Sequence, residues 1–455
     1  MSAAIGAGVV LGVLYTLSPL TVLGLAALTI LVRFVARDLG PRERHWFIGL
    51  VAFATALRLA AIAGLFLFAD AARPYANFFG DEELLKNRTV WLRNVGLGVP
   101  ISPADMIYLF DDVGRTSYLY VLAYIQALMG DAPYGNNVLS TVIYVAAVVL
   151  MFAFFRRAYG RVAALASAAV LLFLPSLFSW SISVLKEPAY ILFAGLELIC
   201  AVQILCARTI TRRLCAAVGV AASAVVLGSL RIGGTELAVG GVLLGVPAAL
   251  LVTRPKWLWV AVAAAPVIVV AAGLQPRVQE RVMRSISDTA FLHWGHVATP
   301  GVTYRVLDPR FYIGYDRAAV HTMTPPEAAR FVIRAGVEFL TAPRPSQIES
   351  RSALAYLPEQ AIWYVILALV PFGVASGLAR APVVTCLLMS HALVASAMVA
   401  LTGGNIGTLI RHRGLVVPYL VLLAAFGACS LLSRTRSRST HEPLAFKQGV
   451  RYDLC

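Results

Sequence analysis

Charge is scarce in this chain. Asp, Glu, Lys and Arg make up 13% of its 455 residues, against about 25% in average soluble domains. With 59% hydrophobic residues and a mean hydropathy of +0.79, the chain has too little polar surface for a soluble globule. Cysteine is sparse too. Cys200, Cys206, Cys215, Cys386, Cys429 and Cys455 all fall outside the segments assigned to the exterior and lack zinc spacing, which argues against a disulfide framework or a structural zinc site. Cys455 is terminal but completes no C-a-a-X box, so prenylation is not indicated. The apolar runs show no two-residue alternation, which argues against a transmembrane β-barrel. No internal repeat or low-complexity tract is present.

What the chain does have is a series of long apolar runs. About 20 helical residues cross the hydrocarbon of a bilayer, and in lipid the backbone must satisfy its own hydrogen bonds. About eleven spans follow, near 3–35, 46–69, 136–155, 162–180, 188–206, 215–230, 237–252, 258–274, 356–376, 383–402 and 415–433. The first run is too long for a signal-peptide core and has no basic leader, so it reads as a helix of the mature protein. The expected fold is an all-α integral membrane protein with two long outer-face loops carrying interfacial helices. Its organisation reads as an N-terminal module over 1–274 with a first outer loop at 70–135, a long outer segment at 275–355, C-terminal spans over 356–433, and a basic tail at 434–455.

The formal net charge is +15. In a soluble protein such a balance would point to nucleic acid, but in a membrane protein the positive-inside effect is the ordinary cause, so no nucleic-acid partner is expected. Basic clusters fall at Arg33/Arg37/Arg42/Arg44, Arg156/Arg157/Arg161, Arg208/Arg212/Arg213, Arg254/Lys256 and Arg434/Arg436/Arg438. They put the N-terminus outside and the C-terminus inside. Arg277, Arg281 and Arg284 depart from the pattern, in a long segment where the charge rule is weak.

Against this background the cluster Asp81-Glu82-Glu83, just beyond an apolar run, stands out. A carboxylate at the water–lipid boundary can take a proton from a polar acceptor while a lipid-borne donor lies alongside. Lys186, Arg231, Arg411, His412 and Arg413 fall in turns assigned to the same face. Boundary charges are costly and are functional candidates by default, and Lys and Arg suit a lipid phosphate or pyrophosphate. Plainer readings stand beside these. Lys186 and Arg231 also fit snorkelling to headgroups. Arg411 and Arg413 also fit a cytoplasmic loop, and Asp81 and Glu82 a solvated loop start. His293 and His296, three apart, are a weak metal signal and read better as core or surface histidines. Asn87-Arg88-Thr89 matches a glycosylation sequon that is common by chance. The run Ser117–Met129 is too short to span and reads as interfacial or re-entrant. Thr324-Pro325-Pro326-Glu327 opens a helix with Ala328, Phe331, Val332, Ala335 and Phe339 on an apolar face opposite Arg330 and Arg334.

The Gly80-Asp81-Glu82 triplet, the runs Tyr118–Gly130 and Asn136–Tyr144, the basic turn Phe155-Arg156-Arg157-Ala158-Tyr159-Gly160-Arg161 and the Pro-ended run Ala163–Pro175 resemble the bacterial polytopic glycosyltransferases of the GT-C class. That class includes protein O-mannosyltransferases and the aminoarabinose transferases of lipid A. The likeness covers roughly residues 46–190. It implies an enzyme of the bacterial cytoplasmic membrane with its active site facing the exterior. The donor would be a polyprenyl-phosphate-linked sugar and the acceptor a glycan, lipid or protein. The resemblance also implies Asp81 as general base, Glu82 tuning that carboxylate or orienting the acceptor, and Lys186, Arg231, Arg411, His412 and Arg413 on the donor phosphate. No cofactor is required, although the carboxylates could take a divalent metal. Ser183–Pro188 and Gly404–Arg411 are similar to polysaccharide polymerases, which keeps a polymerase or ligase of undecaprenyl-pyrophosphate-linked glycans open. A flippase of lipid-linked sugars is a further alternative, although it would favour repeats and broken helices near the midplane.

Overall fold

The structure is a computed structural model. It describes residues 18–68, 80–110, 116–130, 132–254, 271–299, 301–344 and 356–439, with a few isolated positions besides. Among the described residues nine helices are long and apolar enough to cross a membrane, and no β-strand is present. The protein is therefore an all-α, multi-pass membrane protein. The chain divides into two compact units at Ala238/Val239, inside a helix.

The first unit contains α1 (Pro19–Ala36), α2 (Pro41–Leu67), α3 (Gly80–Gly96), α4 (Pro103–Phe110), α5 (Ser117–Met129), α6 (Pro133–Tyr159), α7 (Arg161–Phe173), α8 (Pro175–Ile182), α9 (Glu187–Cys206) and α10 (Ile210–Leu230). Local sequence sets many of the starts. Pro occupies the first turn of α1, α2, α6, α8 and α9, where its missing N–H costs nothing. Ser18 and Thr209 cap α1 and α10 through their hydroxyls. At one end of the unit, Arg156 of α6 pairs with Glu43 of α2 at 2.5 and 2.9 Å, and Arg44 binds the last carbonyls of α1, with Ala36 at 3.0 Å. This arginine-rich end holds α2 and α6 antiparallel. The opposite end carries the starts of α3, α5, α6 and α9 and the end of α10.

The expected span at 162–180 is a bent pair, α7 and α8, meeting at 62°. Pro175 lacks the N–H that would bond the Leu171 carbonyl, and Leu174 leaves the helical region at ψ 125°. Both freed carbonyls find side-chain donors. The Tyr144 hydroxyl donates to Leu171, and Arg58 Nη2 donates to Leu172 at 2.6 Å. The fully buried Arg58 guanidinium also donates to Ser181 Oγ at 2.7 Å and Ala54 O at 3.0 Å, and it stacks over Tyr144 and Phe178. A cation is thus buried in α2 to complete a break in its neighbour. Arg58→Met would keep the bulk and orphan the Leu172 carbonyl, a loss of about 1–3 kcal/mol for that group alone. A clear drop in the thermal midpoint of the detergent-purified protein is the expected result; an unchanged midpoint would mean the bend does not depend on this contact.

Helix α11 (Gly234–Thr253) straddles the division between the units. The second unit continues with α12 (Pro276–Val297), two short 3-10 turns at Pro309–Tyr315 and Arg317–Thr322, α13 (Pro325–Thr341), α14 (Tyr356–Arg380), α15 (Pro382–Thr402), α16 (Ile406–Arg413) and α17 (Val417–Ser439). The antiparallel pair α14 and α17 approaches closely at Gly373 and Gly427. A Cβ there would lie 1.9 Å from Leu423 O and 2.4 Å from Leu369 O respectively, so only glycine fits.

The expected span at 258–274 lies largely outside the described residues, as do the tail beyond 439 and most of 3–17. The sequon falls inside α3 with Arg88 and Thr89 buried.

The apolar face expected on 324–341 is corrected in part. Ala328, Phe331, Ala335 and Phe339 are buried within the second unit, while Val332, about 20° round the helix from Phe339, stands at the edge of that face and is exposed. The helix start is the expected one. Thr324 and Glu327 form a reciprocal capping box, and Glu327 also takes Arg310 at 2.5 and 2.7 Å. Arg310 first, then the Thr324 groups, pull the Glu327 carboxyl down to about 2 from an ordinary 4.5. Arg330 and Arg334 likewise hold Asp308 below the usual carboxylate range. A depressed folded value adds stability that is present above the unfolded value and disappears as pH falls through the folded one. Hydrogen-exchange protection of 308–341 is therefore expected to be full at pH 5 and to fade between about 4.5 and about 2. Loss already complete above that window would contradict the assignment.

Candidate functional site

The Asp81-Glu82 pair opens α3, and the helix separates its two members. Successive residues on a helix point about 100° apart, so Asp81 is exposed while Glu82 is fully buried. Glu82 Oε1 accepts from the Val184 backbone N–H at 2.9 Å and Asn137 Nδ2 at 3.0 Å, and it pairs with Lys86 Nζ at 3.0 Å. Asn137 also donates to Ile182 O at 2.7 Å. One carboxylate thereby fastens α3 to the N-terminal end of α6 and to the α8–α9 connection. Lys86 is 2% exposed. Burial pulls its ammonium below the ordinary lysine range, against the opposing pull of Glu82.

This latch brings together two segments that the sequence holds a hundred residues apart. Val184 lies two positions before Lys186, which is half-buried at the N-cap of α9. Glu187, in the first turn of α9, is buried. The Tyr118 hydroxyl of α5 sits 3.3 Å from Ser140 Oγ and within electrostatic reach of both Glu187 and Glu82. The start of α5 is tied in turn to the end of α10. Thr116 Oγ1 donates to Leu230 O at 2.9 Å, and the Ser117 and Ser229 hydroxyls meet at 2.8 Å. Arg231, half-buried at the C-cap of α10, follows immediately. Asp81, Glu82, Lys186 and Arg231 therefore share the end of the first unit opposite its arginine clusters.

Arg411, His412 and Arg413 belong to the second unit, on α16. Asn405 caps that helix, its Oδ1 accepting from Gly407 N at 2.9 Å. A short antiparallel bridge holds the cap: Tyr304 N donates to Gly404 O at 3.0 Å and Ile406 N to Val302 O at 2.9 Å. Arg411 and His412 are half-buried, while Arg413 is buried among protein partners. Arg413 donates to Gln360 Oε1 at 2.9 Å and to the Phe339 carbonyl, and it stacks over Phe339 and Trp363. Its guanidinium is occupied in joining α16 to α13 and α14.

His293 and His296 tie α12 to the last carbonyls of α15. His293 Nδ1 bonds Gly403 O, and His296 Nδ1 lies 2.6 Å from Thr402 O. A carbonyl only accepts, so each Nδ1 carries its proton. His293 Nε2 then accepts from the Tyr312 hydroxyl at 3.1 Å. Burial pulls His293 down to about 4, so it is neutral at neutral pH. Among the described residues no three His, Cys, Asp or Glu side chains are grouped to hold a metal ion.

Sequence reasoning missed Lys86, Asn137 and Tyr118. Two signals were available. Glu82 and Lys86 stand four apart, the spacing of a helical ion pair, and Asn136-Asn137 puts two amides at the head of an apolar run. Nothing local marked Val184, whose contribution is a backbone N–H.

No family model, no curated protein and no solved structure matches this chain. The class the fold defines is that of an all-α, multi-pass membrane protein. Its first unit gathers a latched acidic helix and two cationic helix ends at one pole.

Proposed function

We propose that this chain is a membrane glycosyltransferase of the GT-C kind. It moves a sugar from a polyprenyl-phosphate donor to an acceptor at the outer face of a bacterial cytoplasmic membrane. The described residues give nine candidate spans, or ten with the bent pair, and the eleven-span reading of the sequence puts the N-terminus outside. The observation that carries the proposal is the bond from Val184 N–H to Glu82 Oε1 at 2.9 Å. It fixes the exposed Asp81 on a helix anchored beside the Lys186 turn.

In this reaction the acceptor hydroxyl oxygen attacks the anomeric carbon and its proton passes to Asp81, which must come within about 3 Å in the productive complex. The bond from the anomeric carbon to the phosphate oxygen breaks, and the phosphate leaves with the electron pair. Lys186 and Arg231 are assigned to the developing phosphate charge. Glu82 is assigned to positioning, because its carboxylate is buried among three donors. Arg411 and His412 keep an assignment to lipid phosphate, tested on their own account. Arg413 is assigned to holding α16 in place.

Lys186→Ala is expected to weaken donor binding by about tenfold or more, the scale of losing one charge-assisted contact to phosphate. Titrating a polyprenyl-phosphate sugar against the purified protein measures this. Unchanged donor affinity would move the phosphate away from this turn.

One observation favours the polymerase or ligase alternative. The bridge from 302–304 to 404–406 joins the long outer segment to the helix that carries Arg411, the two parts on which such an enzyme would depend. That alternative predicts transfer surviving Asp81→Asn and failing in Arg411→Ala.

A further inference from the structure

Helix α13 has three faces rather than two. Ala328, Phe331, Ala335 and Phe339 are buried within the second unit. Glu327, Arg330, Arg334 and Glu338 form a polar edge, with Arg330 and Arg334 paired to Asp308 at 2.5 and 2.8 Å. The remaining sector is apolar yet exposed: Val332 at 38%, Ile333 at 66%, Val337 at 47% and Leu340 at 45%. At 100° per residue the centre of this sector lies about 130° from the polar edge. Four exposed large apolar residues on one side of a helix need a covering medium.

The C-terminus of α13 shows where that sector sits. Its last carbonyls, which a helix end leaves without intrahelical partners, are taken by the first turns of α14. Trp363 Nε1 donates to Leu340 O at 3.1 Å, Tyr364 Oη to Thr341 O at 2.8 Å and Gln360 Nε2 to Thr341 O at 3.2 Å. Helix α14 is one of the nine candidate spans. Trp363 and Tyr364 stand roughly 10–12 Å along it from its start, just where the polar Glu359 and Gln360 give way to its apolar run, and Trp and Tyr gather at such boundaries in membrane proteins. The exposed side of α14 at this level, Ile362, Tyr364 and Val365, continues the exposed sector of α13 through the Tyr364–Thr341 bond.

We propose that α13 is an interface helix with Val332, Ile333, Val337 and Leu340 seated in lipid acyl chains. Its polar edge then lies at the headgroup level, where Arg330 and Arg334 stay paired with Asp308 while facing water and phosphate. This geometry is that of a helix lying in the plane of the bilayer surface. It differs from an ordinary amphipathic helix because one apolar face is committed to protein and a second one to lipid. The inference does not depend on the transferase assignment.

The test replaces Ile333, Leu340 or Arg334, one at a time, by photoreactive p-benzoylphenylalanine in the full chain. The protein is reconstituted into vesicles of phosphatidylethanolamine and phosphatidylglycerol and irradiated, and the adducts are identified by mass spectrometry. Positions 333 and 340 are expected to give phospholipid adducts at about ten times the yield of position 334, which lies about 100–120° round the helix from them on its polar edge. Equal yields at all three positions would overturn the proposal. So would protein–protein cross-links from 333 and 340 in place of lipid adducts, since they would assign the sector to a second copy of the chain.

Discussion

Asp81→Asn is expected to abolish sugar transfer, with a loss of at least about a hundredfold in kcat, the contribution of a positioned general base. The substitution removes the proton acceptor and keeps the shape. Asp81 is exposed at the first turn of α3. The carboxylate that holds the helix belongs to its neighbour, and Asn is itself a good residue near a helix start. The thermal midpoint in detergent should stay within experimental scatter of the parent, and donor binding should survive, because the phosphate is assigned to Lys186 and Arg231. A dead, folded, donor-binding variant is the signature of a lost base. Retained turnover would remove Asp81 from that role and leave the polymerase alternative in front.

Glu82→Ala should show the opposite pattern, with a large loss of stability and a loss of activity that follows from it. The substitution strips the acceptor from Val184 N–H and Asn137 and leaves the Lys86 ammonium buried without its carboxylate. Removing one partner of a buried ion pair costs about 3–5 kcal/mol, because the other charge stays desolvated. Glu82→Gln separates the roles. Its amide oxygen can still accept from Val184 and Asn137, so the helix should remain seated and part of the activity should remain. Lys86→Met added to Glu82→Ala should recover stability relative to Glu82→Ala alone, since it removes the stranded charge. If Glu82→Ala melted like the parent and lost only turnover, the buried carboxylate would have a chemical role instead.

The membrane character was legible because it needs only composition and run length: about 20 apolar residues between charged turns can do little else. Eight of the nine long helices lie within a few residues of the expected spans, and α1 falls at the C-terminal end of the longest expected run. The break between α7 and α8 was half legible. Pro175 was visible as a helix end, but a run continuing to residue 180 reads as one span until Leu174 turns the chain. Arg58 went unremarked because a single cation inside a long apolar run carries no pattern, and its partners lie on other helices.

The acidic pair was visible as chemistry and invisible as geometry. Neighbouring helical residues face different ways, so Asp81 and Glu82 share a place in sequence and not an environment. What decides between them is the α8–α9 connection, 102 positions from Glu82 at Val184, and no local signal reports such a contact. On α13 the buried set was mostly anticipated, but Val332 was assigned to it. Helical spacing alone cannot tell a face that meets protein from one that meets another apolar medium. His293, His296 and Arg413 show the same limit, because side chains that suit metal or phosphate are bonded here to helix-end carbonyls.

The most direct test is a cryo-electron microscopy map of Asp81→Asn in nanodiscs with a bound polyprenyl-phosphate sugar. The account predicts phosphate density against Lys186 and Arg231, with the sugar's anomeric carbon turned toward residue 81. Phosphate density at the opposite, arginine-rich pole of the first unit, beside Arg44 and Arg156, would contradict it.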